Sequence, residues 1–194
     1  MTDAASDPGA GGADPAAADS RAEGALATPV VPAGGVIAGV VPGEPARVVK
    51  EAARYAKLLS APLVIVHVDV TRFVTYEDPD GYVHSAPLDM NIATGQTDLA
   101  TVTAEASALL EGRGVDWSVH QLVGDPALAL KHLAEQSDAK LLVVGTRRRG
   151  FGESIREFFT GSVAARLAHR QSRPVLVVPL GEPVPDDEDI DWAD

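Results

Sequence analysis

The segment from Leu141 to Pro179 constrains the fold more than any other part of this sequence. It starts with an apolar, strand-like run that ends at Val144, and it continues into a basic loop that contains several glycines. The loop leads to a helix start at Gly161 and Ser162, and a second apolar run follows the helix. Because backbone N–H groups in a glycine loop and at a helix N-terminus can point at one anion, this series is typical of a phosphate-binding site.

The same alternation of apolar runs and helical segments extends through the middle of the chain. Five apolar runs predict β-strands, at residues 34–41, 63–68, 115–122, 139–144 and 175–178. Strands that are apolar along their length need cover on both faces, so the sequence predicts a doubly wound α/β fold with a five-stranded parallel sheet in a single domain. Ligands bind such sheets at the carboxyl ends of the strands, where the loops after the first and fourth predicted strands are expected to meet.

Local signals indicate where two of the helices begin and where the sequence becomes irregular. Asp125 followed by Pro126 predicts an N-cap and a first helical residue. Thr97 is expected to cap an earlier helix. The connection over residues 70–96 is predicted to be irregular, with a turn at 77–82 that one interpretation makes the tip of a small hairpin.

The two ends of the chain differ in composition from its middle. Residues 1–33 carry five acidic residues against one arginine and few large apolar side chains, so a disordered N-terminal tail is predicted. Residues 181–194 carry seven acidic and no basic residues, which predicts an acidic C-terminal tail. The domain itself is expected at 34–180, where sixteen acidic residues nearly balance fifteen basic ones.

Composition also excludes several classes of protein. The chain has no cysteine, so disulfides and thiolate metal sites are excluded, and the five histidines lack metal-ligand spacing. The sequence shows neither a signal-peptide pattern nor an apolar run of about 20 residues, and we therefore expect a cytoplasmic protein with no membrane partner. The negative net charge of −12 argues against a nucleic-acid partner.

The sequence resembles the universal stress protein family over about residues 34–180. The matching segments are the Val-Val-Gly end of the fourth predicted strand, the glycine loop, the helix and strand from Gly161 to Pro179, and the Gly-Asp-Pro helix start at 124–126. The resemblance implies a flavodoxin-like, adenine nucleotide alpha hydrolase-like domain that usually dimerises through its last strand. It also implies that many members bind ATP through a G-x2-G-x9-G-[ST] loop and an Asp at the end of the first strand, whereas members without the pattern do not.

The family pattern carries over only in part. Gly145 matches the first glycine, and Gly161 with Ser162 matches the final pair, but 15 residues separate them instead of 12. The middle glycine is replaced by Arg148, and Val41 stands where the Asp is expected. The resemblance still implies a nucleotide site, in which one group frames the adenosine and a second group meets the phosphates. The first group is Val41, Gly145 and Thr146, and the second is Arg147, Gly150, Gly161, Ser162 and Val163.

Several of these residues also have a purely structural interpretation. Ser162 can serve only as a helix N-cap, and the arginines at 147–149 can pair with acidic residues of the chain instead of a triphosphate. His67, within an apolar strand, is expected to be a core or pocket residue. No nucleophile or general base is recognisable, so at most slow ATP hydrolysis is expected.

Two functions therefore follow from the sequence. The first is a stress-response sensor or regulator that binds ATP or another adenine nucleotide, with or without Mg²⁺. The alternative is a family member that has lost nucleotide binding and acts as a dimeric protein-interaction module for an unknown protein partner. In both cases the apolar strand from Pro174 to Pro179 is expected to pair with its copy in a homodimer, because exposed edge strands are covered or paired.

Overall fold

The computed structural model describes residues 25–27, 29–43, 46–77, 82–87, 95–146 and 162–181. Eight strands and four helices lie within these ranges. The strands are β1 (Ala25–Ala27), β2 (Val36–Val40), β3 (Leu63–Asp69), β4 (Arg72–Glu77), β5 (Tyr82–Pro87), β6 (Trp117–Val123), β7 (Leu141–Gly145) and β8 (Val175–Val178). The helices are α1 (Ala46–Leu58), α2 (Gly95–Leu110), α3 (Pro126–Gln136) and α4 (Val163–Arg170).

The main sheet contains five parallel strands in the order β6-β3-β2-β7-β8. The chain runs outward from β2 through β3 to β6 and then returns to β7 on the other side of β2. The order of strands therefore reverses between β2 and β7, which is the place where doubly wound sheets bind ligands. The predicted fold class is confirmed.

Each face of the sheet is buried under two helices. One face packs against α1 and α2 and the other against α3 and α4, so the strands are apolar on both sides as the sequence predicted. Successive residues of β3 alternate between these faces: Ile65 belongs to the first core, and Val64 and Val66 belong to the second. This alternation determines which residues at the end of β3 face α2.

One close contact between layers depends on a glycine. Gly39 of β2 pairs with Val66 on one side and Val144 on the other. A Cβ at Gly39 would lie 2.8 Å from Leu130 Cδ1 of α3 and 3.3 Å from a methyl of Val144. The absence of a side chain therefore lets α3 pack directly on the central strand.

A second, smaller sheet combines β1 with the two strands of the connection between β3 and α2. It has the order β1-β5-β4 and is antiparallel. Strands β4 and β5 form a hairpin, so the hairpin interpretation is confirmed and the prediction of irregular structure is wrong for residues 72–77 and 82–87. The hairpin tip, residues 78–81, lies outside the described residues.

The N-terminal strand corrects a second prediction. Residues 1–33 were expected to be disordered on composition, yet Ala25–Ala27 pairs with β5, with Ala25 opposite His84. Composition misses this strand because its stability comes from backbone hydrogen bonds to a distant segment rather than from its own apolar area. Residues 1–24 and the acidic tail at 182–194 lie outside the described residues, so the predictions for them stay predictions.

The sequence predicted the start of α3 correctly but not the start of α2. Asp125 is the N-cap of α3, its Oδ1 accepts from the Leu128 amide at 2.9 Å, and Pro126 is the first helical residue, as predicted. Helix α2 begins at Gly95, so Thr97 lies inside it, two residues beyond its first residue, and the predicted N-cap is wrong. Helix boundaries read from single residues commonly shift by this much.

Candidate functional site

A cavity of about 410 Å³ lies at the carboxyl ends of β2, β3 and β7. Its position coincides with the reversal of strand order, and its size falls in the range of small-molecule sites. Residues from both faces of the sheet line it, including Val40 and Val48 on the α1 side and Pro126 and Leu130 on the α3 side. The fold therefore concentrates the loops after three parallel strands around one concave site.

The structure brings five of the eight predicted site residues to this cavity. They are Val41, Gly145, Thr146, Ser162 and Val163, which come from opposite ends of the long loop and from the end of β2. The other three, Arg147, Gly150 and Gly161, lie outside the described residues. Among the described residues, those that follow the first and fourth predicted strands, β2 and β7, therefore lie together at the cavity.

Helix α4 points its N-terminus into the cavity. Ser162 is the N-cap residue with extended backbone angles (φ −71°, ψ 127°) and is 8% exposed. Within the described part of the chain, its side chain makes no capping hydrogen bond to α4. The first N–H groups of a helix have no partner inside it and carry a partial positive charge, so this end of the cavity favours an anion.

The neighbouring helix α3 differs at the same position. Its N-terminus is capped by the Asp125 carboxylate, which already supplies a negative group to the first-turn amides. Of these two helices on the same face, α4 therefore has the N-terminus that is left without a side-chain cap among the described residues. The sequence alone does not show which of the two helices has a side-chain cap, because Asp and Ser are both favoured at the N-cap position.

Gly145 and Thr146 form one wall together with the segment that follows β8. The Leu180 amide donates to Thr146 Oγ1 at 2.9 Å, and the Thr146 amide donates to the Val178 carbonyl at 2.9 Å. A Cβ at Gly145 would lie 2.6 Å from Leu180 Cδ1. Gly145 thus lets Leu180 approach β7 and contribute an apolar surface to the cavity.

The opposite wall is polar and comes from the end of β3. His67 and Asp69 are each 4% exposed and line the cavity. Both ring nitrogens of His67 and the Oδ2 atom of Asp69 are buried and have no hydrogen-bond partner among the described residues. The prediction that His67 is a core or pocket residue is confirmed, whereas Asp69 was missed.

Asp98 adds a second carboxylate on this side. It lies in the first turn of α2, and its Oδ2 is 3.8 Å from Nε2 of His67. The described residues that line the cavity include these two carboxylates and no lysine or arginine. The cavity therefore has two different ends, one that favours an anion at α4 and one that favours hydrogen-bond donors at β3.

The arrangement does not resemble a metal centre. No group of three or more His, Cys, Asp or Glu side chains suited to a metal ion occurs among the residues that the structure describes. Within those same residues, no helix is long and apolar enough to cross a bilayer.

A family model for the universal stress protein family matches residues 37–179. This chain belongs to the universal stress protein family. The match covers β3, β6, β7 and β8 in full and all but the first residue of β2, so the family resemblance seen in the sequence is confirmed. A comparison with curated proteins found no match.

Solved universal stress proteins share the fold. A universal stress protein in complex with cAMP is 26% identical, with a TM-score of 0.52, and the match covers 78% of this chain and all of that one. A family member from Burkholderia pseudomallei is 25% identical over 75% of this chain and 96% of its own, with a TM-score of 0.52. One from Archaeoglobus fulgidus is 23% identical over 74% and 97%, also with a TM-score of 0.52.

Proposed function

We propose that this universal stress protein binds an adenine nucleotide in the cavity at the carboxyl ends of β2, β3 and β7, and that ATP is its ligand. The observation that carries the proposal is the N-terminus of α4, which opens into a cavity of about 410 Å³ with Ser162 making no side-chain cap among the described residues. A phosphate group there would accept hydrogen bonds from the first amides of α4 and from the Ser162 hydroxyl.

A phosphate at the N-terminus of α4 determines where the other parts of the nucleotide would lie. Val41, Gly145 and Thr146 would frame the adenosine, and Arg147, Gly150, Gly161 and Val163 would surround the phosphates, with or without Mg²⁺. Arginine suits this role because its guanidinium can form two parallel hydrogen bonds to phosphate oxygens. The relative that was solved with cAMP supports an adenine ligand.

The regulatory role is part of the same proposal. Nucleotide occupancy would alter the loop between β7 and α4 and so control a response to stress. The cytoplasmic location expected from the sequence stays a prediction. The absence of a carboxylate at Val41 favours the alternative, a family member without nucleotide that acts through a protein partner, and the experiment below separates the two.

The test is calorimetric titration of ATP into the full-length protein and into two variants at one position. Val163→Pro removes the first amide donor of α4, and a helix accepts proline at its first residue because the preceding Ser162 is already extended. Val163→Ala truncates the side chain but keeps the amide, so it is the matched control. We expect micromolar binding by wild type and by Val163→Ala, and a loss of about tenfold in Val163→Pro.

The results separate the two functions. Equal affinity in all three proteins would mean that phosphate does not bind at α4. No binding of ATP by the wild type, with no nucleotide retained on purification, would overturn the nucleotide proposal and leave the protein-interaction module.

We further propose a homodimer through β8. This strand is at the edge of the main sheet, and Val177 on it is 42% exposed. Edge strands of this kind are stabilised by pairing across a twofold axis. Val177→Glu is expected to give a monomer on a sizing column, whereas Leu128→Glu, which adds the same charge at a similarly exposed side chain of α3, should leave the dimer intact. A dimer that survives Val177→Glu would refute this interface.

A further inference from the structure

Two exposed valines lie on the rim of the cavity. Val41 follows β2, and Val70 follows β3, the adjacent parallel strand. Their side chains are 58% and 56% exposed, and both residues line the cavity. Half-buried Leu180 lines it on the β8 side. A single exposed apolar side chain is ordinary, but several around one cavity indicate a surface that another segment or a ligand covers.

The N-terminus of α4 adds a polar anchor in the same cavity. The first turn of α4 contains no acidic residue, whereas α3 is capped by the Asp125 carboxylate. Ser162 lines the cavity, is 8% exposed and makes no capping hydrogen bond among the described residues. A carboxylate that entered the cavity could therefore cap α4 as Asp125 caps α3.

The chain leaves the main sheet beside this cavity. The Leu180 amide donates to Thr146 Oγ1 at 2.9 Å, and Leu180 lies so close to Gly145 that a Cβ there would be 2.6 Å from its Cδ1. These contacts hold the chain at the cavity wall one residue before Gly181, where the described residues end. The acidic tail, here residues 182–194, therefore starts next to the rim and to α4.

The composition of the acidic tail matches both surfaces. The tail contains seven acidic residues and no basic one, and four of the seven form the run 186–189. The large apolar residues Ile190 and Trp192 come directly after this run. One short segment thus carries carboxylates for a helix N-terminus and apolar side chains for an apolar rim.

The acidic tail is also long enough to reach both surfaces. Asp186 is six residues beyond Leu180, which allows a span of up to about 20 Å, and Trp192 is six residues further on. Val70 at the end of β3 lies three strand spacings from β8, or about 14 Å. The distance across the sheet is therefore shorter than the chain available to cross it.

We propose that the acidic tail folds back over the cavity and inhibits ligand binding. A carboxylate of the run 186–189 accepts hydrogen bonds from the first amides of α4 and from the Ser162 hydroxyl, and Ile190 and Trp192 cover the exposed valines of the rim. A ligand phosphate and the tail compete for the same donors. The docking of the tail needs no nucleotide, whereas its inhibitory effect rests on the proposed function.

Tethering makes even a weak contact effective. A short flexible link gives an effective concentration of about 1 mM, so a tail that would bind as a separate peptide with a Kd of about 0.1 mM is docked in about nine of ten molecules. The apparent affinity of a competing ligand falls in proportion to the undocked fraction, which is about tenfold here.

The first experiment follows the acidic tail through its tryptophan. Trp117→Phe leaves Trp192 as the remaining tryptophan of the full-length protein. Quenching of its fluorescence by acrylamide is measured in this background alone, with Val70→Asp and with Val30→Asp. Val70→Asp places on the rim a charge that repels the tail. Val30, which is 97% exposed and precedes the amino end of β2, is the matched control.

We expect Trp192 to be protected from acrylamide in the background protein and with Val30→Asp, in comparison with the same proteins unfolded in urea. Val70→Asp should raise the quenching toward the value in urea. Equal quenching in the native and unfolded proteins, or protection that survives Val70→Asp, would overturn the docking whether or not ATP binds. Quenching that changes on dilution of the protein would place the tail on a second copy and refute the intramolecular contact.

The second experiment measures the competition with nucleotide by calorimetric titration of ATP. It compares the full-length wild type with two full-length variants that each lose four carboxylates. The tail variant carries Asp186→Asn, Asp187→Asn, Glu188→Gln and Asp189→Asn, and the control variant carries Asp7→Asn, Asp14→Asn, Asp19→Asn and Glu23→Gln. Because the net charge changes equally in both, the general repulsion between protein and ATP changes equally too.

We expect the tail variant to bind ATP about tenfold more tightly than the wild type and the control variant. Equal affinities of the two variants would overturn the inhibition while ATP binding stands. No ATP binding by any of the three proteins would overturn both the nucleotide function and the inhibition, and the Trp192 measurement would still decide the docking.

Discussion

Removing the ion pair between Asp125 and Arg166 is predicted to destabilise the protein by detaching α4 from α3. Asp125 Oδ2 accepts from Arg166 Nη1 at 2.6 Å, and Oδ1 accepts from Nη2 at 2.8 Å. Oδ1 also accepts from the Leu128 amide as the N-cap of α3. One carboxylate thus closes the first turn of α3 and holds α4, whose N-terminus forms the anion-binding end of the cavity.

The expected magnitude follows from two separate contributions. Loss of an N-cap side chain costs about 1 kcal/mol. The side chains of Arg166 and Asp125 are 27% and 35% exposed, so water screens their interaction, and we assign the two-pronged pair about 1 kcal/mol. Asp125→Ala should therefore cost about 2 kcal/mol, whereas Asp125→Ser, which keeps a capping oxygen, should cost about 1 kcal/mol.

Urea unfolding of a double-mutant cycle measures the pair directly. The cycle combines Asp125→Ser with Arg166→Met, which keeps much of the apolar stem of the arginine. We expect a coupling free energy of about 1 kcal/mol at neutral pH. A value below about 0.3 kcal/mol, within the error of additivity, would refute the assignment of stability to this pair.

The pH dependence of the coupling provides a second check on Asp125. Burial acts to raise the pKa of its carboxyl group, but the Arg166 and Leu128 hydrogen bonds and the Arg166 charge outweigh burial and hold the pKa below its ordinary value of 3.8. A carboxyl group with a lowered folded-state pKa contributes stability that is fully present above the unfolded value and is lost as pH falls through the folded one. The coupling should therefore be constant from neutral pH down to that ordinary value and decline below it.

Two further predictions concern packing and acid stability. Gly39→Ala should lower the free energy of unfolding by about 1–3 kcal/mol, because its Cβ would lie 2.8 Å from Leu130 Cδ1 and Leu130 is only 1% exposed; an unchanged urea midpoint would contradict this. Burial lowers the pKa of His120, so the unfolded chain binds more protons below the ordinary value of 6.5, and stability should fall on acidification from there. His120→Gln should flatten the dependence of unfolding free energy on pH in that window, and an unaltered slope would argue against this cause.

The sequence located the elements whose signals are local. The apolar run at 34–41 contains β2, and the run at 139–144 contains all of β7 except its last residue, since strands buried on both faces need apolar residues throughout. Asp125 and Pro126 identified a helix start because capping depends on adjacent residues alone. Strand Ala25–Ala27 depends instead on pairing with β5, more than fifty residues away along the chain, and no local pattern reveals such a partner.

The difference between local signals and long-range contacts also explains which half of the candidate site could be predicted from the sequence. The anion-binding end combines a glycine loop with a helix N-terminus at Ser162, and both are contiguous signals. The polar end requires that His67 and Asp69 share a face of β3 and that Asp98 on α2 comes within 3.8 Å of the imidazole, which only the folded sheet establishes. One sequence signal was nevertheless available, because β3 ends in His-Val-Asp after four apolar residues. Polar residues at alternate positions there share one face at the ligand-binding edge of a parallel sheet, so this pattern alone could have identified His67 and Asp69 as candidate lining residues of the cavity.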